Sequence, residues 1–156
     1  MKLSRRHLAA LLPAVAAAQT RIPNPQKHGV AEIANPPKEK PILPSKSYIY
    51  EELAVKKSAN GNEQRALFNG ATHGKFPVEA HITSLGPGLM PHAAHRHAHE
   101  EMVLLHSGKL DVTIEGKTTH LTPGSVAYVY SNEEHGWKNP GPERAEYFVI
   151  ALGQES

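Results

Sequence analysis

A chain of 156 residues is long enough for one domain with a true core and too short for two ordinary ones joined by a linker. It contains no cysteine, which excludes disulfides, thiolate nucleophiles and Cys-rich zinc or iron–sulfur sites, so any metal must be held by nitrogen and oxygen. The formal charge of +2 does not mark a nucleic-acid partner: Lys2, Arg5 and Arg6 precede residue 19 without an acid, and beyond them 14 Lys and Arg face 15 Asp and Glu, a net charge of −1 with His neutral. No concentrated cationic face for a phosphate backbone remains.

Residues 1–18 read as an export signal. The charged start is followed by the apolar run Leu8 to Ala18, far short of the about 20 residues that span a bilayer. It therefore predicts a cleaved signal and no stable membrane anchor afterwards. Ala14-Val15-Ala16 and Ala16-Ala17-Ala18 offer the small-x-small pattern of a cleavage site, and Ser4-Arg5-Arg6-His7-Leu8 resembles the twin-arginine signal. The expected location is periplasmic or secreted. From residue 19 to 45 the chain carries Pro23, Pro25, Pro36, Pro37, Pro41 and Pro44 with almost no aromatic residue, a composition expected of a disordered or extended spacer. The folded domain is expected over residues 46–156.

Within that domain the hydrophobic period is two. Phe76, Val78, Ala80 and Ile82 alternate with Pro77, Glu79, His81 and Thr83, and Gly86-Pro87-Gly88 stops the strand. A second strand covers Glu101 to Leu105 and turns at Ser107-Gly108 into Leu110, Val112 and Ile114. Val126 to Tyr130 and Tyr147 to Leu152 add two more, punctuated by Pro123-Gly124 and Asn139-Pro140-Gly141-Pro142. Short strands at this spacing predict an all-β sandwich or barrel with few helices.

Nine of the 11 histidines lie between His73 and His135. His95 and His97, at i and i+2, project from one face of an extended chain. Glu101 shares the parity of the inward residues Val103 and Leu105, and a carboxylate on the core-facing side of a barrel is costly unless it is paired or ligates a cation. His135 can supply a third imidazole from across the sheet. His92 and His99 are expected on a solvated rim, and His73, His81, His106 and His120 carry no spacing signal. Trp137 has the parity of His135; with Tyr128 and Tyr130 it is a candidate for the substrate pocket.

At these residues the sequence resembles a small single-domain bacterial cupin. His95-Arg96-His97, three residues, Glu101, six residues and Gly108 match that family's first motif, with Gly88 one residue further upstream than usual. Gly124, His135 and Asn139 fit the second motif, with Tyr130 in place of a Pro and Asn132 in place of a Gly. Asn tolerates left-handed backbone, so the turn is expected to survive. The resemblance covers roughly residues 60 to 152. It implies a double-stranded β-helix, the jelly-roll cupin barrel, with His95, His97, Glu101 and His135 on one metal, and a homodimer in which the stretch 47–69 is the expected edge-pairing or exchanged element.

Three neutral imidazoles and one carboxylate around a divalent ion leave a charge of +1 and, in octahedral geometry, two open positions for an oxygen-rich small molecule. Mn or Fe is favoured, with Ni, Co, Zn or Cu as alternatives. Cupins with this ligand set include dioxygenases, decarboxylases, lyases and isomerases, so the fold does not select the reaction. The leading expectation is a metalloenzyme, dioxygenase-like, decarboxylase-like or lyase-like. A ligand-sensing module and an exported metal-holding protein without turnover are the alternatives.

Overall fold

The structure, a computed structural model, describes residues 39–153; the expected signal and residues 19–38 of the expected spacer lie outside it. Strands run β1 (Val55–Lys57), β2 (Glu63–Ala71), β3 (Pro77–Leu85), β4 (Glu100–Ser107), β5 (Leu110–Ile114), β6 (Lys117–Leu121), β7 (Val126–Val129), β8 (His135–Lys138) and β9 (Ala145–Leu152). A single 3-10 turn, Tyr50–Glu52, is the helical content among the described residues. A six-stranded sheet has the order β1-β2-β3-β9-β4-β7 and a three-stranded sheet the order β6-β5-β8, with every named strand pair antiparallel. The expected all-β architecture is what the chain adopts: two antiparallel sheets facing each other as a jelly-roll barrel.

Strand parity builds the interior. Val103, Leu105, Tyr147, Val149, Leu110, Val112, Leu121 and Trp137 are buried in one cluster between the sheets, each large side chain contributing roughly 1.5–3 kcal/mol of transfer free energy. Directly paired residues of an antiparallel ladder share a face. On the six-stranded sheet, Leu105–Tyr147–Thr83–Gln64–Lys56 is therefore one continuous inward row. The neighbouring row Leu104–Phe148–Ile82 faces outward. Strand β3 thus departs from the simple half-buried pattern expected of it. Ala80 and Ile82 are buried on the outer face, Phe76 is exposed, and Thr83 and Leu85 are buried on the inner face.

Sheet sizes differ, and coverage follows. Inner-face residues of β9 and β4 are buried, whereas Lys56, Gln64, Ala66 and Asn69, on the inner face of β1 and β2, are exposed. Half of the larger sheet is consequently left without a roof among the described residues.

Two joints hold one end of the barrel. At the β4–β5 turn Gly108 has φ +79°, and a Cβ there would lie 2.5 Å from the carbonyl oxygen of Arg144, so no side chain fits. Close by, Asn139 is fully buried. Its Nδ2 donates to the carbonyls of Leu85 (3.2 Å), Gly86 (3.1 Å) and Glu143 (2.7 Å), while its Oδ1 accepts from the Gly141 N–H at 2.9 Å. One side chain thus satisfies four loop backbone groups that would otherwise be buried without partners.

Order reaches further upstream than the expected domain start at residue 46. The Leu43 N–H donates to Ala71 O at 2.9 Å and the Ala71 N–H to Pro41 O at 2.8 Å, with a parallel bridge between Ile42 and Ala71. An extended Pro-containing segment suits such an edge, because Pro lacks only the donor and its carbonyl still accepts.

Candidate metal centre

The four residues of the expected ligand set come from two chain segments and meet inside the barrel. His95 and His97 lie in the loop before β4, Glu101 is the second residue of β4 and His135 opens β8. The loop is fixed to β8 by a reciprocal backbone pair: His95 N–H to His135 O and His135 N–H to His95 O, both 3.0 Å. This adds the His95 loop as a further edge to the three-stranded sheet, beside the Ile114–His135 pairing of β5. Gly136 makes the approach possible, since a Cβ there would meet Ala94 Cα at 3.2 Å and Ala94 Cβ at 3.3 Å.

Arg96, between the two histidines, points the other way. Its guanidinium donates to Glu115 Oε1 at 2.6 Å and to the Asn132 carbonyl at 2.7 Å. Asn132 adopts φ 63° and its N–H donates to the His97 carbonyl at 2.8 Å, so Asn performs the left-handed turn expected of it. Glu115 also accepts the Glu134 N–H at 2.6 Å, and these donors hold its carboxyl below the usual range, the Glu134 N–H first and Arg96 second. The ligand loop is thereby tied to the β5–β6 turn and the loop before β8.

The side-chain geometry is that of a cation site. Donor atoms of His95, His97 and His135 lie within 4.8 Å of one another. Glu101 Oε2 is 3.5 Å from His97 Nε2 and 3.3 Å from His135 Nε2. Ligand atoms about 2.1 Å from a common ion stand about 3.0 to 3.4 Å apart in octahedral or tetrahedral arrangement, so these spacings need only a small contraction. His97 Nδ1 and His135 Nδ1 are held by the carbonyls of His99 and Glu133, each at 2.8 Å. Backbone carbonyls can only accept, so both rings carry their proton on Nδ1 and turn the Nε2 lone pair inward. His97 Nε2, His135 Nε2, Glu101 Oε2 and His95 Nδ1 are all buried with no hydrogen-bond partner. A divalent ion fits this donor set. Burial, reinforced by the neighbouring His92, His135 and His97, pushes His95 below the ordinary histidine pKa and favours the neutral ligand form.

His99 is placed differently from expectation. Its ring stacks on His97 at 3.6 Å and 7°, and its Nε2 lies 3.5 Å from Glu101 Oε1. Residues 95, 97, 99 and 101 share one parity, and that signal was in the sequence. His97, His99 and Glu101 form a second group with donor atoms within 4.8 Å of one another, but parallel rings cannot aim both lone pairs at one ion, so His99 braces Glu101 and leaves Oε2 for the centre. His92, exposed as expected, packs edge-on against His95 at 4.3 Å.

Of the expected pocket residues, Trp137 borders the cluster. Its indole stacks near His135 at 5.7 Å and donates to Tyr147 Oη at 2.7 Å; burial pushes the Tyr147 phenol well above its ordinary pKa. Tyr128 and Tyr130 are 49% and 51% exposed. Glu101 pairs with Val129, so Val129 takes the inward face of β7 and Tyr128 the outward one, where its phenol is raised by a hydrogen bond with Glu100. Neither tyrosine is brought to the histidine cluster.

A pair without a sequence signal does face the interior. Glu79 lies in the row Glu101–Ala151–Glu79 and His81 in the row Val103–Val149–His81, with His81 Nδ1 3.0 Å from Glu79 Oε1.

Residues 81–151 match the family model for the cupin domain. No curated protein matches the chain. Among solved structures, an RmlC-like cupin from Shewanella frigidimarina is 19% identical with TM-score 0.58, over 69% of this chain and 89% of that one. KdgF from a Halomonas species is 16% identical with TM-score 0.61, over 71% and 96%. A predicted oxalate decarboxylase from Thermotoga maritima is 19% identical with TM-score 0.58, over 70% and 100%. At these identities the likeness is one of fold, and together with the domain match it supports a small cupin.

Replacing His95, His97, Glu101 or His135 singly with Ala should lower affinity for a divalent ion more than about tenfold and abolish metal-dependent thermal stabilisation. In the parent chain that stabilisation amounts to about 2.7 kcal/mol at metal one hundred times its Kd. Metal analysis and thermal melts check this, and full occupancy in His135→Ala would refute the four-ligand centre.

Proposed function

We propose that the protein is a metal-dependent enzyme acting on a small oxygen-rich molecule at a mononuclear centre of three His and one Glu. The observation that carries this reading is the set of four buried donor atoms without hydrogen bonds on His95, His97, Glu101 and His135, the three imidazoles within 4.8 Å of one another and Glu101 Oε2 3.5 and 3.3 Å from His97 and His135 Nε2. A bound divalent ion, Mn or Fe by preference, would supply Lewis acidity to oxygen ligands in its open positions. The remaining work belongs to the chain. His97 and His135 turn Nε2 inward because carbonyls hold their Nδ1 protons, and Trp137 walls off the His135 side. His81, with Nδ1 against Glu79, presents Nε2 to the interior as the group that holds or moves a proton. An interior carboxylate–imidazole pair favours proton-transfer chemistry, lyase-like or decarboxylase-like, over dioxygenase-like chemistry.

Chelation of the native protein should abolish turnover in a screen of dicarbonyl, phenolic and carboxylate substrates, and readdition of Mn or Fe should restore it. Turnover that persists after full metal removal would defeat the reading.

For location, the sequence supports export through the twin-arginine route. Copper and zinc outcompete manganese and iron for nitrogen and oxygen sites because intrinsic affinity rises toward copper. A domain folded around Mn or Fe before export would carry its metal out already enclosed. Natively exported protein should contain Mn or Fe, and Lys-Lys in place of Arg5-Arg6 should stop export. Unchanged export of that form, or copper or zinc in the native protein, overturns the proposal.

For assembly, we place a homodimer contact on the outer face of the six-stranded sheet, where Leu104, Val126 and Tyr128 are exposed. The 47–69 stretch is the poorer candidate, because its edge strand β1 is three residues long and carries Lys56 and Lys57, features that blunt edge pairing. Light scattering should give a dimer at micromolar concentration, reduced to monomer by Val126→Lys. A monomer in the parent chain refutes it.

A further inference from the structure

The unroofed half of the larger sheet ends in a cavity of about 340 Å³ whose lining includes Lys56, Lys57, Glu63, Gln64, Thr83 and His92. Lys56, Gln64 and Thr83 are consecutive members of one cross-strand row on the inner face, so the first two side chains rise from the floor of the barrel mouth. Thr83 is tied to Tyr147, and Tyr147 to Trp137 beside His135. On the opposite wall His92 packs against His95. None of the four residues of the centre lines the cavity, and two separate chains of contact link the two.

Its charge is unbalanced. Lys57 and Glu63 cancel as a pair at 2.9 Å within the lining, and Glu63 is further approached by Arg65 at 3.6 Å, which leaves Lys56 as the uncompensated charge. No carboxylate lies within ion-pair distance of Lys56 among the described residues. One ammonium and the Gln64 amide, over a floor closed by Thr83, can neutralise and hydrogen-bond one singly charged planar oxyanion. A phosphate monoester would call for a second cation, and the nearest, Lys57, is already engaged. The centre itself, with one carboxylate and three neutral imidazoles on a divalent ion, adds a further positive charge that favours an anionic guest.

We propose that this cavity is a carboxylate-recognition subsite for the substrate of the metal centre, with Lys56 pairing the charge and Gln64 orienting the group. The inference rests on the metalloenzyme reading and narrows its substrate to a small organic acid.

The test is calorimetric titration of the metal-loaded full chain with succinate, succinamide and inorganic phosphate, repeated on Lys56→Gln and Lys57→Gln with their metal contents measured. Succinate should bind more tightly than succinamide. Lys56→Gln should weaken succinate about tenfold, the loss expected for one charge-assisted hydrogen bond, and erase its advantage over succinamide, with metal content unchanged. Lys57→Gln should retain the parent's preference. Equal affinity of Lys56→Gln and the parent for succinate, or tighter binding of phosphate than of succinate, overturns the subsite. If the parent holds no metal, the metalloenzyme reading fails separately; a Lys56-dependent preference for succinate in that metal-free protein would still uphold the recognition site.

Discussion

Four lone pairs aimed at one another inside a barrel are the constraint around which the rest of the molecule is arranged. Burying an acceptor without a donor costs on the order of 1–3 kcal/mol, more when it is charged, and here three imidazole nitrogens and a carboxylate oxygen meet without a hydrogen bond. They also repel one another. A chain left to relax would turn at least one ring outward or protonate it. The backbone forbids the first, because carbonyls hold Nδ1 of His97 and His135. Burial and the neighbouring imidazoles oppose protonation of His95. The stored cost is what a cation relieves, so affinity is prepared by the fold before any ion arrives.

That preparation is mostly main-chain work. The reciprocal His95–His135 pair fixes two ligands relative to each other through two N–H···O bonds, and the absence of a side chain at Gly136 permits it. Arg96 then fastens the loop from outside, using the alternation of an extended chain to place its guanidinium on the face opposite the ligands. Bonds to Asn132 and Glu115 in turn join that loop to the two turns flanking β5 and β8. Ligand geometry is thus shared by several exposed polar contacts, each individually weak, and by one buried backbone bridge.

Much of this was legible in sequence because period two survives wherever one face is dry. Glu101, Val103 and Leu105 share an inward face, as do Leu110 and Val112, and both runs read correctly as strands. The elements that escaped lack that contrast. Strand β2 is interrupted by a bulge between Ala66 and Phe68 and ends in Gly70 and Ala71, where small residues admit the Pro41–Leu43 segment. Strand β6, Lys-Thr-Thr-His-Leu, is exposed at four of its five positions. Strand β8 is four residues long, too short for any pattern, and only its His135 announced it. His99 and His81 were missed for opposite reasons. The first followed the parity of the ligands but was set aside on its spacing to Glu101; the second has no local signal at all, because its relation to Glu101 exists only through the β3–β9–β4 register.

Unequal sheets divide the labour of the barrel. Where the three-stranded sheet lies over β9 and β4, buried Leu, Val and Tyr side chains supply cohesion. Beyond that roof, on β1 and β2, the inward positions are Lys56, Gln64, Ala66 and Asn69, residues whose exposure adds little to stability. Glu79 and His81 sit at the boundary between the two regimes, close enough to the covered half to be ordered and close enough to the open half to meet solvent or a guest. Residues proposed to hold the ion are therefore tied to the dry core, while those available to choose its ligand are not. A change of ligand in such a barrel requires substitution only on the uncovered strands, and it leaves the donor set, with its electrostatic cost already borne by the core, untouched.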